Sequence, residues 1–508
     1  MSIYTVKNLE CLFYRLKSQG KLKMTDVPGM KEILGEINDR NDRISIVKRW
    51  LKRCNSRIAD CQYGSEEYGN RYKRLCDTRE WLEELTTERD DIKRKRDEHI
   101  ADYLEKVFER IVRSRIRISP DVNEIEPGKY LVLVRGLEEK LICQLIKEDL
   151  KHAYKVVPAD RNEIVEQLKG LLNNSRPKVI IRADIKKFFE SVPLEDVIVR
   201  LTRNAYLNKI SLTYLKRLHG YLREKTEFGV SPDVEERVCG LPRGLAFSSY
   251  LAEIYMQEID DCIEAIEGVY YYRRYVDDII IIASPDRDIN DYWDEIKRCI
   301  STEDKRLVLH EDEKKFLKVS SSENVVSFDY LGYSFKIESN ALSIGLSRNR
   351  RDKYMDMIDV IFKYYNKHPS VNKDIREKRR SSNRKEHSAD PLHQLFAMLS
   401  CMTGNGHLEG DKRNVSIGSY FSNRHITDLT DLNELDAYLE DKINENFNPP
   451  QKMFCYGGEH DRDWYIERIR NVMRKWSFTE GFRTRRFCKN PKFTYTLGRI
   501  KGLRSKDF

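Results

Sequence analysis

The chain lacks the cysteine and histidine spacings of a protein built around structural zinc. Its 11 Cys include no CxxC pair, and its 10 His show no metal-ligand spacing with them. Structural zinc sites usually show such pairs, and disulfide-rich secreted domains are short and dense in cysteine. We therefore expect no structural zinc and a reducing, cytosolic environment.

Long apolar runs are also missing. No stretch of the chain approaches the ~20 apolar residues that a membrane-spanning helix needs. Residues 1–4, Met-Ser-Ile-Tyr, do not begin a basic-then-apolar export signal. The sequence therefore predicts no membrane partner and a cytoplasmic location.

A strong charge of one sign is absent as well. Charged residues make up 34% of the 508 residues, and the net charge is only +9. This mild surplus suits a protein that binds phosphate backbones, but it equally suits an ordinary charge-rich surface. The length allows several domains and a substantial core.

Proline and glycine are both missing from residues 70–115, which indicates a long helix within a helical region at 1–118. Arg89 and Arg96 interrupt any continuous heptad seam, so we expect no long coiled coil. Instead, we expect this helix to pack on the rest of the chain, on a subunit or on RNA. The apolar residues that recur at intervals of mostly three, four or seven are Leu82, Leu85, Ile92, Ile100, Tyr103, Leu104, Val107, Phe108 and Ile111.

Two adjacent aspartates lie between strand-forming runs. Val269–Tyr275 leads into Asp277 and Asp278, and Ile279–Ala283 leads out. β-branched and aromatic residues of this kind predict two strands with the carboxylates at a tight hairpin turn. Because a carboxylate beside a core must be paired, hydrated or metal-bound, a divalent cation is the natural partner.

A third aspartate ends another predicted strand. Residues 178–183 indicate a buried strand that leads to Asp184, followed by a turn and a helix with Ser191 as a cap and Pro193 in the first turn. Three acidic side chains are therefore expected to converge on one place. Between them, Gly240–Ser249 forms a loop able to approach a ligand closely, before a helix over 250–266.

These segments resemble the conserved motifs of reverse transcriptases. Residues 184–189 (DIKKFF), 241–244 (LPRG) with the following 248–253, and 275–278 (YVDD) resemble motifs A, B and C, in that order. Leu307–His310 with Lys314 resembles motif D, and Phe328–Tyr333 resembles the motif E primer grip. The resemblance runs from about 130 to about 355. It implies an α+β right-hand polymerase with fingers, a palm of antiparallel sheet plus helices, and a helical thumb.

One departure narrows the resemblance. Arg243 occupies the place of the usual motif B glutamine, and Ser248-Ser249 replaces the usual Ser-Pro. Together with the segment 394–423, this departure resembles the bacterial abortive-infection and "unknown group" reverse transcriptases of antiphage defence. It leaves open whether template reading and priming follow the retroviral pattern.

Four regions are expected along the chain. They are a helical N-terminal region (1–118), fingers and palm (119–340), a thumb and basic linker (341–390) and a basic C-terminal region (391–508). The thumb is expected to begin with a basic helix from roughly 341 to 368, and 373–385 is a strongly basic stretch. The last 40 or so residues mix Arg and Lys with aromatics, which suits RNA.

The resemblance assigns catalytic roles. Asp184 and Asp277 would bridge two Mg²⁺ ions, with Mn²⁺ as an alternative, and Asp278 and the backbone carbonyl of Ile185 would complete the site. Lys314 would protonate pyrophosphate. Phe189 would be the aromatic gate that excludes the ribose 2′-hydroxyl, which favours DNA synthesis. The residues expected to bind dNTP are Arg135, Lys187, Phe188, Phe189, Arg243 and Gly244.

The resemblance also predicts nucleic-acid contacts. Tyr330, Leu331 and Gly332 would grip the primer. The expected partners are dNTPs, nascent DNA and a non-coding RNA that acts as template or scaffold. The sequence leaves open whether the protein forms a homo-oligomer. The arginines expected to contact nucleic acid are Arg348, Arg350, Arg351, Arg379, Arg380, Arg384, Arg483, Arg485 and Arg486.

The expected function is therefore RNA-directed DNA synthesis in antiphage defence. A template-independent or protein-primed nucleotidyltransferase would use the same palm, and a non-enzymatic RNA-binding scaffold is a third reading, although none of the three acids is missing. Phe189 and the YVDD sequence disfavour an RNA-dependent RNA polymerase. The chain shows no endonuclease or DNA-binding tail typical of a group II intron maturase.

Overall fold

The computed structural model describes most of the chain as a mixed α+β fold of helices and antiparallel sheets. The residues fall into two compact units, 1–157 with 189–255 and 158–188 with 256–508. Among the described residues, no helix is long and apolar enough to cross a membrane. The described residues are 3–127, 129–174, 176–225, 240–301, 307–310, 316–319, 325–338, 341–367, 391–407, 416–446, 471–473 and 475–488.

The helices and strands follow one another in this order. They are α1 (Val6–Ser18), α2 (Met30–Ala59), α3 (Glu66–Val112), β1 (Asp121–Glu126), β2 (Lys129–Leu133), α4 (Leu137–Tyr154), α5 (Arg161–Leu172), β3 (Lys178–Asp184), α6 (Phe188–Ser191), α7 (Leu194–Asn204), α8 (Lys209–Lys225), α9 (Ser248–Glu264), β4 (Val269–Tyr275), β5 (Asp278–Ala283), α10 (Ile289–Ile300), β6 (Phe316–Val319), β7 (Val326–Tyr330), β8 (Tyr333–Glu338), β9 (Ala341–Leu346), α11 (Arg348–Lys367), α12 (Pro391–Thr403), β10 (Asn405–His407), β11 (Ser416–Gly418), α13 (Thr430–Asn446) and α14 (Phe478–Arg483).

In the first unit, α2 and α3 form a long antiparallel helical hairpin. The side chain of Ser65 caps α3 by accepting a hydrogen bond from the Tyr68 N–H at 3.1 Å. The rings of Trp50 and Trp81 lie 5.7 Å apart between the two helices. Nearer the base, Arg40 pairs with Glu88 at 2.8 Å.

Sequence analysis did not predict that α3 pairs with α2. The contact between the helices is a small apolar cluster of Ile44, Val47 and Leu85 rather than a full heptad seam. Arg89 pairs with its neighbour Asp90, and Arg96 pairs with its neighbour Asp97. The arginines do not prevent the pairing because their cationic ends form these local ion pairs outside the cluster.

The base of the hairpin packs into the core of the first unit, as its periodicity predicts. Ile100, Leu104, Val107 and Ile111 are all at most 1% exposed. Their spacing of four, three and four residues places them on one helix face. The backbone carbonyl of Ile111 also accepts a hydrogen bond from the Tyr214 hydroxyl on α8.

The second unit is built on two antiparallel sheets. One has the strand order β4-β5-β3-β6 and the other β7-β8-β9. Residues 279–283 of β5 are fully buried, which explains why that strand is a continuous apolar run instead of an alternating one. A continuous core joins the central strands to helices α5, α11, α12 and α13.

The helix expected from about 341 begins later than predicted. Residues 341–346 are strand β9, which pairs with β8 from Glu338↔Ala341 onward, and α11 starts at Arg348. The expected region boundary at 340 therefore lies between two paired strands. Ile344 of β9 shares its core with Ile358 of α11. The basic stretch 373–385 lies outside the described residues.

The helix after Asp184 also begins differently from the prediction. Ser191 is the last residue of α6 and Pro193 is the N-cap of α7, so Ser191 does not cap the helix and Pro193 precedes its first turn.

Cys262 of α9 and Cys299 of α10 form a disulfide. Sequence analysis did not predict this pair, because the two cysteines are 37 residues apart.

The loop at Gly240 packs closely against α6. The Leu241 N–H donates to the Phe189 carbonyl at 2.7 Å, and Gly240 forms an isolated bridge with Pro193. A Cβ added at Gly240 would lie 2.7 Å from the Cα and carbonyl oxygen of Glu190. Only glycine therefore allows this approach of the two backbones.

We predict opposite effects for two Gly→Ala substitutions in the first unit. Gly240→Ala should lower the free energy of unfolding by about 1–3 kcal/mol, because its methyl group meets backbone that cannot move aside. Gly220→Ala, inside α8 where a Cβ meets nothing within 4 Å, should raise it by up to about 1 kcal/mol. Thermal unfolding of both variants tests this, and equal melting temperatures would contradict the close packing.

Candidate active site

The register of the central strands brings two of the predicted acids together. Asp184, the last residue of β3, is paired directly with Asp278, the first residue of β5. Asp277 lies in the two-residue turn between β4 and β5, because Tyr275 pairs with Asp278. The Ile185 N–H donates to the Asp277 carbonyl at 3.3 Å, which ties the end of β3 to that turn.

The turn that presents these acids has an unfavourable backbone conformation. Val276 has a φ of +63°, a left-handed conformation that is rare for a β-branched residue. The Arg274 guanidinium donates from Nη1 to the Val276 carbonyl at 2.9 Å. This hydrogen bond holds the carbonyl in place and helps to maintain the strained turn.

Arg274 is itself fixed by a buried ion pair. Its Nε and Nη2 donate to the two carboxylate oxygens of Asp260 at 2.9 and 2.7 Å, and its side chain is only 2% exposed. The Tyr272 hydroxyl donates to the same carboxylate. Burial, then the negative charge of Asp260, raise the pKa of Tyr272 well above 10, so the hydroxyl keeps its proton and remains a donor.

The segment that resembles motif D lies along the other side of Asp184. The His310 N–H donates to the Asp184 carbonyl at 2.9 Å, and the Lys186 N–H donates to Val308 at 2.8 Å. The His310 Nε2 lies 3.6 Å from a carboxylate oxygen of Asp184. Sequence analysis placed His310 in the motif D segment but did not predict that its side chain lies beside Asp184. Lys314 lies outside the described residues.

The predicted primer grip contacts the backbone of Asp278. The Tyr330 hydroxyl donates to the Asp278 carbonyl at 3.2 Å, and burial raises the pKa of Tyr330, which keeps it a donor. Leu331 and Gly332 form the turn from β7 to β8, with φ of +47° and +78°. Asp278 is therefore held from both neighbouring strands and from this hydroxyl.

A cavity of about 500 Å³ connects the acids with the primer grip. Arg161 Nε donates to the Leu331 carbonyl at 2.7 Å, and Arg350 Nη2 donates to Ser422 at 2.6 Å. Arg161 therefore supports the primer-grip turn. The cavity combines carboxylates with cations, and its lining includes Asp184, Asp278, Tyr330, Gly332, Arg350 and Lys353.

The predicted dNTP contacts are divided between the two units. In the second, Phe188 is 1% exposed and lies 5.9 Å from the Arg274 guanidinium, so it belongs to the core rather than to an open binding surface. Lys187 is exposed and has a left-handed φ of +45°. Phe189 begins a segment of the first unit.

In the first unit, Arg243 is ion-paired. Its Nε and Nη2 donate to the two carboxylate oxygens of Glu190 at 2.6 and 2.9 Å. Its guanidinium carbon also lies 4.9 Å from the centre of the Phe189 ring. Glu190, which sequence analysis missed, therefore takes both of these donors, and direct contact of Arg243 with the nucleotide stays a prediction.

The remaining predicted dNTP residues belong to the same unit. Gly244 has a φ of +98°, and a Cβ there would lie 2.7 Å from the Val132 carbonyl of β2. This glycine is required by packing against β2. Arg135 is 83% exposed at its side chain and pairs with Asp121.

The predicted nucleic-acid arginines differ in their surroundings. Arg351 donates to Asp431 at 3.2 Å and to Glu434 at 2.7 Å, so it joins α11 to α13. Arg486 donates to the Lys475 carbonyl and the Thr403 hydroxyl, and burial lowers its pKa. Both make contacts within the protein, and their expected contact with nucleic acid stays a prediction. Arg348, Arg483 and Arg485 are exposed, with Arg485 over the Tyr420 ring at 4.3 Å, whereas Arg379, Arg380 and Arg384 lie outside the described residues.

The donor atoms at this site fit a hard divalent cation. Carboxylate oxygens from Asp184, Asp277 and Asp278 are the ligand type that Mg²⁺ prefers. Within the described ranges, however, no group of three or more Asp, Glu, His or Cys side chains is arranged to hold a metal ion. The structure pairs Asp184 with Asp278 and places Asp277 beside them in the turn, and the expected metal site stays a prediction.

A comparison with protein families decides the nature of this region. Residues 106–335 match the family described as reverse transcriptase (RNA-dependent DNA polymerase). These residues, fewer than half of the chain, are similar to that family. The match supports RNA-directed DNA polymerase activity and includes every segment that resembles motifs A to E. Domains of this family generally use divalent metal ions.

Other comparisons add little. No curated protein matches the chain. Among solved structures, an apo telomerase from Candida tropicalis truncated from its C-terminal domain is 14% identical over 46% of this chain and 55% of that chain, with a TM-score of 0.29. A Candida albicans telomerase in complex with a TWJ fragment of telomeric RNA is 12% identical over 72% of this chain and 57% of that one, with a TM-score of 0.28.

A further apo telomerase from Candida tropicalis is 12% identical, covers 98% of this chain and 88% of that chain, and has a TM-score of 0.29. The chain spans little more than half the length of the first two telomerase structures. At such identities and TM-scores, the likeness has no bearing on substrate or partner.

We predict that Arg274→Met destabilises the second unit by about 3 kcal/mol, because it leaves the Asp260 carboxylate without its ion-pair partner. This is the lower end for a buried pair, since Asp260 keeps 24% exposure. The neighbouring Arg273, 44% exposed at its side chain, provides the matched control. Arg273→Met should change stability by less than about 1 kcal/mol. Chemical denaturation of both variants checks this, and equal losses would contradict a special role for Arg274.

Proposed function

We propose that this protein synthesises DNA from dNTPs with two Mg²⁺ ions held by Asp184, Asp277 and Asp278. The observation that carries the proposal is the direct pairing of Asp184 with Asp278 beside the Asp277 turn, inside the region similar to the reverse transcriptase family. When bound, the ions would lower the pKa of the primer 3′-hydroxyl and neutralise charge on the triphosphate.

The residues of the chain would prepare the site before substrate arrives. Arg274 fixes the turn through Val276, and Tyr330 holds the backbone of Asp278. The carboxylates then need little rearrangement, which is how a preorganised site contributes to catalysis. In this proposal, the backbone carbonyl of Ile185 is a further oxygen ligand and Lys314 protonates the leaving pyrophosphate.

The choice of DNA over RNA rests on Phe189 in this proposal. An aromatic ring at this position would clash with a ribose 2′-hydroxyl and leave a deoxyribose unaffected. Antiphage defence is supported by the resemblance of residues 241–249 and 394–423 to bacterial defence reverse transcriptases. A cytoplasmic location stays a prediction.

A template-independent or protein-primed activity is the second candidate. The observation that favours it is the ion pair of Arg243 with Glu190, because a guanidinium paired in this way does not offer its full charge to a template phosphate. Sequencing of the DNA that the purified protein makes would distinguish the two. Products complementary to a bound RNA indicate templated synthesis, whereas repetitive products without a complement indicate the second candidate.

We predict that Asp277→Ala with Asp278→Ala abolishes dNTP incorporation, because the site loses two of its three side-chain carboxylates. Asp291→Ala, an exposed acid on α10, is the matched control and should retain activity. Incorporation of labelled dNTP is measured together with circular dichroism. A folded double variant that still incorporates dNTP would refute the proposed catalytic site.

A non-coding RNA is the proposed partner, and the distal part of the helical hairpin is the surface proposed to bind it. We define the hairpin tip as residues 48–81. It contains nine Lys or Arg and five acidic residues, a net charge of +4, whereas the rest of the hairpin (30–47 and 82–112) has a net charge of −4. The tip thus concentrates positive charge far from the acidic base.

The hairpin tip also exposes aromatic rings. Trp50, Tyr63, Tyr72 and Trp81 are 46%, 86%, 47% and 40% exposed. Tyr68 stacks on Tyr72 with ring centroids 6.1 Å apart. Cations interleaved with exposed rings suit single-stranded nucleic acid, where phosphates meet the charges and bases stack on the rings.

We predict that reversing three exposed tip charges, Arg53→Glu, Lys73→Glu and Arg74→Glu, weakens binding of a single-stranded RNA oligonucleotide. The slope of log affinity against log salt should fall by about 2 to 3, since three phosphate contacts are lost. Fluorescence anisotropy over a range of salt concentrations measures it.

The matched control reverses three exposed lysines in the rest of the hairpin, Lys31, Lys95 and Lys106. It should leave the slope unchanged. If both triple variants keep the wild-type affinity and slope, the tip does not bind RNA, and a protein partner becomes the better explanation of its exposed rings.

A further inference from the structure

We infer that Glu190 and Arg243 form an ion pair that positions Phe189 and thereby sets the sugar selectivity of the polymerase. The inference rests on the proposed role of Phe189 as the sugar gate. All three residues belong to the first unit, so their geometry is internal to one compact body.

The ion pair is bidentate and largely shielded from water. Two guanidinium nitrogens of Arg243 donate to the two oxygens of Glu190, at 2.6 and 2.9 Å. The Glu190 side chain is 7% exposed and that of Arg243 is 31% exposed. Such a fork-to-carboxylate arrangement fixes the plane of the guanidinium as well as its position.

The fixed guanidinium in turn restrains the gate. Its central carbon lies 4.9 Å from the centre of the Phe189 ring, within the range of a cation–π interaction. Phe189 directly precedes Glu190 in the chain, so the same cation contacts the ring of one residue and the carboxylate of the next. A rotation of the ring away from this position would lose the contact.

The backbone around the gate is held by the same loop. The Leu241 N–H donates to the Phe189 carbonyl at 2.7 Å, and Gly240 packs against the backbone of Glu190. On its other side, the Arg243 carbonyl accepts the Val132 N–H of β2 at 2.7 Å. The loop therefore connects the gate residue to a strand on its far side.

This arrangement gives a physical reason for arginine at residue 243. The resemblance to reverse transcriptases leads one to expect glutamine there, but a glutamine cannot offer two charge-assisted donors to Glu190. It would leave a carboxylate that is 7% exposed without its counter-ion. Glu190 and Arg243 are therefore a matched pair, and each is a positioning residue that acts through Phe189.

The test measures kcat/KM for a dNTP and for the matching NTP in the full-length protein. The selectivity ratio is kcat/KM for the dNTP divided by kcat/KM for the NTP. Arg243→Gln and Glu190→Gln should each lower this ratio by about tenfold, as expected for loss of a shielded charged contact. Arg243→Lys keeps the charge but loses the two-pronged guanidinium. Its ratio should lie between the ratios of wild type and Arg243→Gln. The variant with both Gln substitutions should lower the ratio by less than the product of the two separate fold-decreases, because both substitutions remove the same ion pair.

Two comparisons keep the outcome interpretable. Arg203→Gln, an exposed arginine in the last turn of α7, is the matched control and should leave the ratio unchanged. Phe189→Ala tests the gate itself. If Phe189→Ala lowers the ratio while folded Glu190 and Arg243 variants retain it, the positioning inference is overturned and the gate remains. If Phe189→Ala leaves the ratio unchanged, the proposed gate is wrong, and this inference is overturned with it.

Melting temperatures separate selectivity from stability. A general loss of structure would lower kcat/KM for both sugars together and leave their ratio intact, whereas a displaced gate raises NTP use relative to dNTP use. A fall in the ratio for Arg243→Gln at an unchanged melting temperature supports the inference. A fall in both rates at a constant ratio overturns it.

Discussion

The buried ion pair between Asp260 and Arg274 is the constraint on which the catalytic strands depend. It lies behind the β4–β5 turn, and Arg274 also donates from Nη1 to the Val276 carbonyl. A left-handed valine is unfavourable on its own, so the turn needs this support. The direct pairing of Asp184 with Asp278 follows from the position at which that turn closes. The proposed catalytic site thus depends on a charged contact that lies outside its three carboxylates.

Much of the fold could be predicted from the sequence because the relevant patterns are local. The apolar run of β5, the tight turn at Asp277 and the buried stripe from Ile100 to Ile111 all arise from neighbours in sequence, and the structure confirms each. Motif order then placed the acids at the ends of adjoining strands. The strand at 341–346 was missed because its alternation lies directly before a strongly basic helix.

The partners of charged residues could not be predicted in the same way. Glu190 lies 53 residues from Arg243, and Glu434 lies 83 residues from Arg351. Sequence patterns therefore assigned several arginines to nucleic acid that the fold uses internally, among them Arg351 and Arg486. Whether a cation in a motif also has a partner within the protein depends on tertiary packing, which a local sequence pattern does not show.

The opposite charges along the helical hairpin have a consequence before any contact forms. With a rise of 1.5 Å per residue, the 47 residues of α3 extend over about 70 Å. This distance is many times the screening length of about 8 Å at physiological salt, so the tip and the base experience an external field independently. A polyanion near the positive tip therefore attracts it at a distance where the acidic base feels almost no field. Orientation on approach would therefore be encoded in the order of charges along two helices.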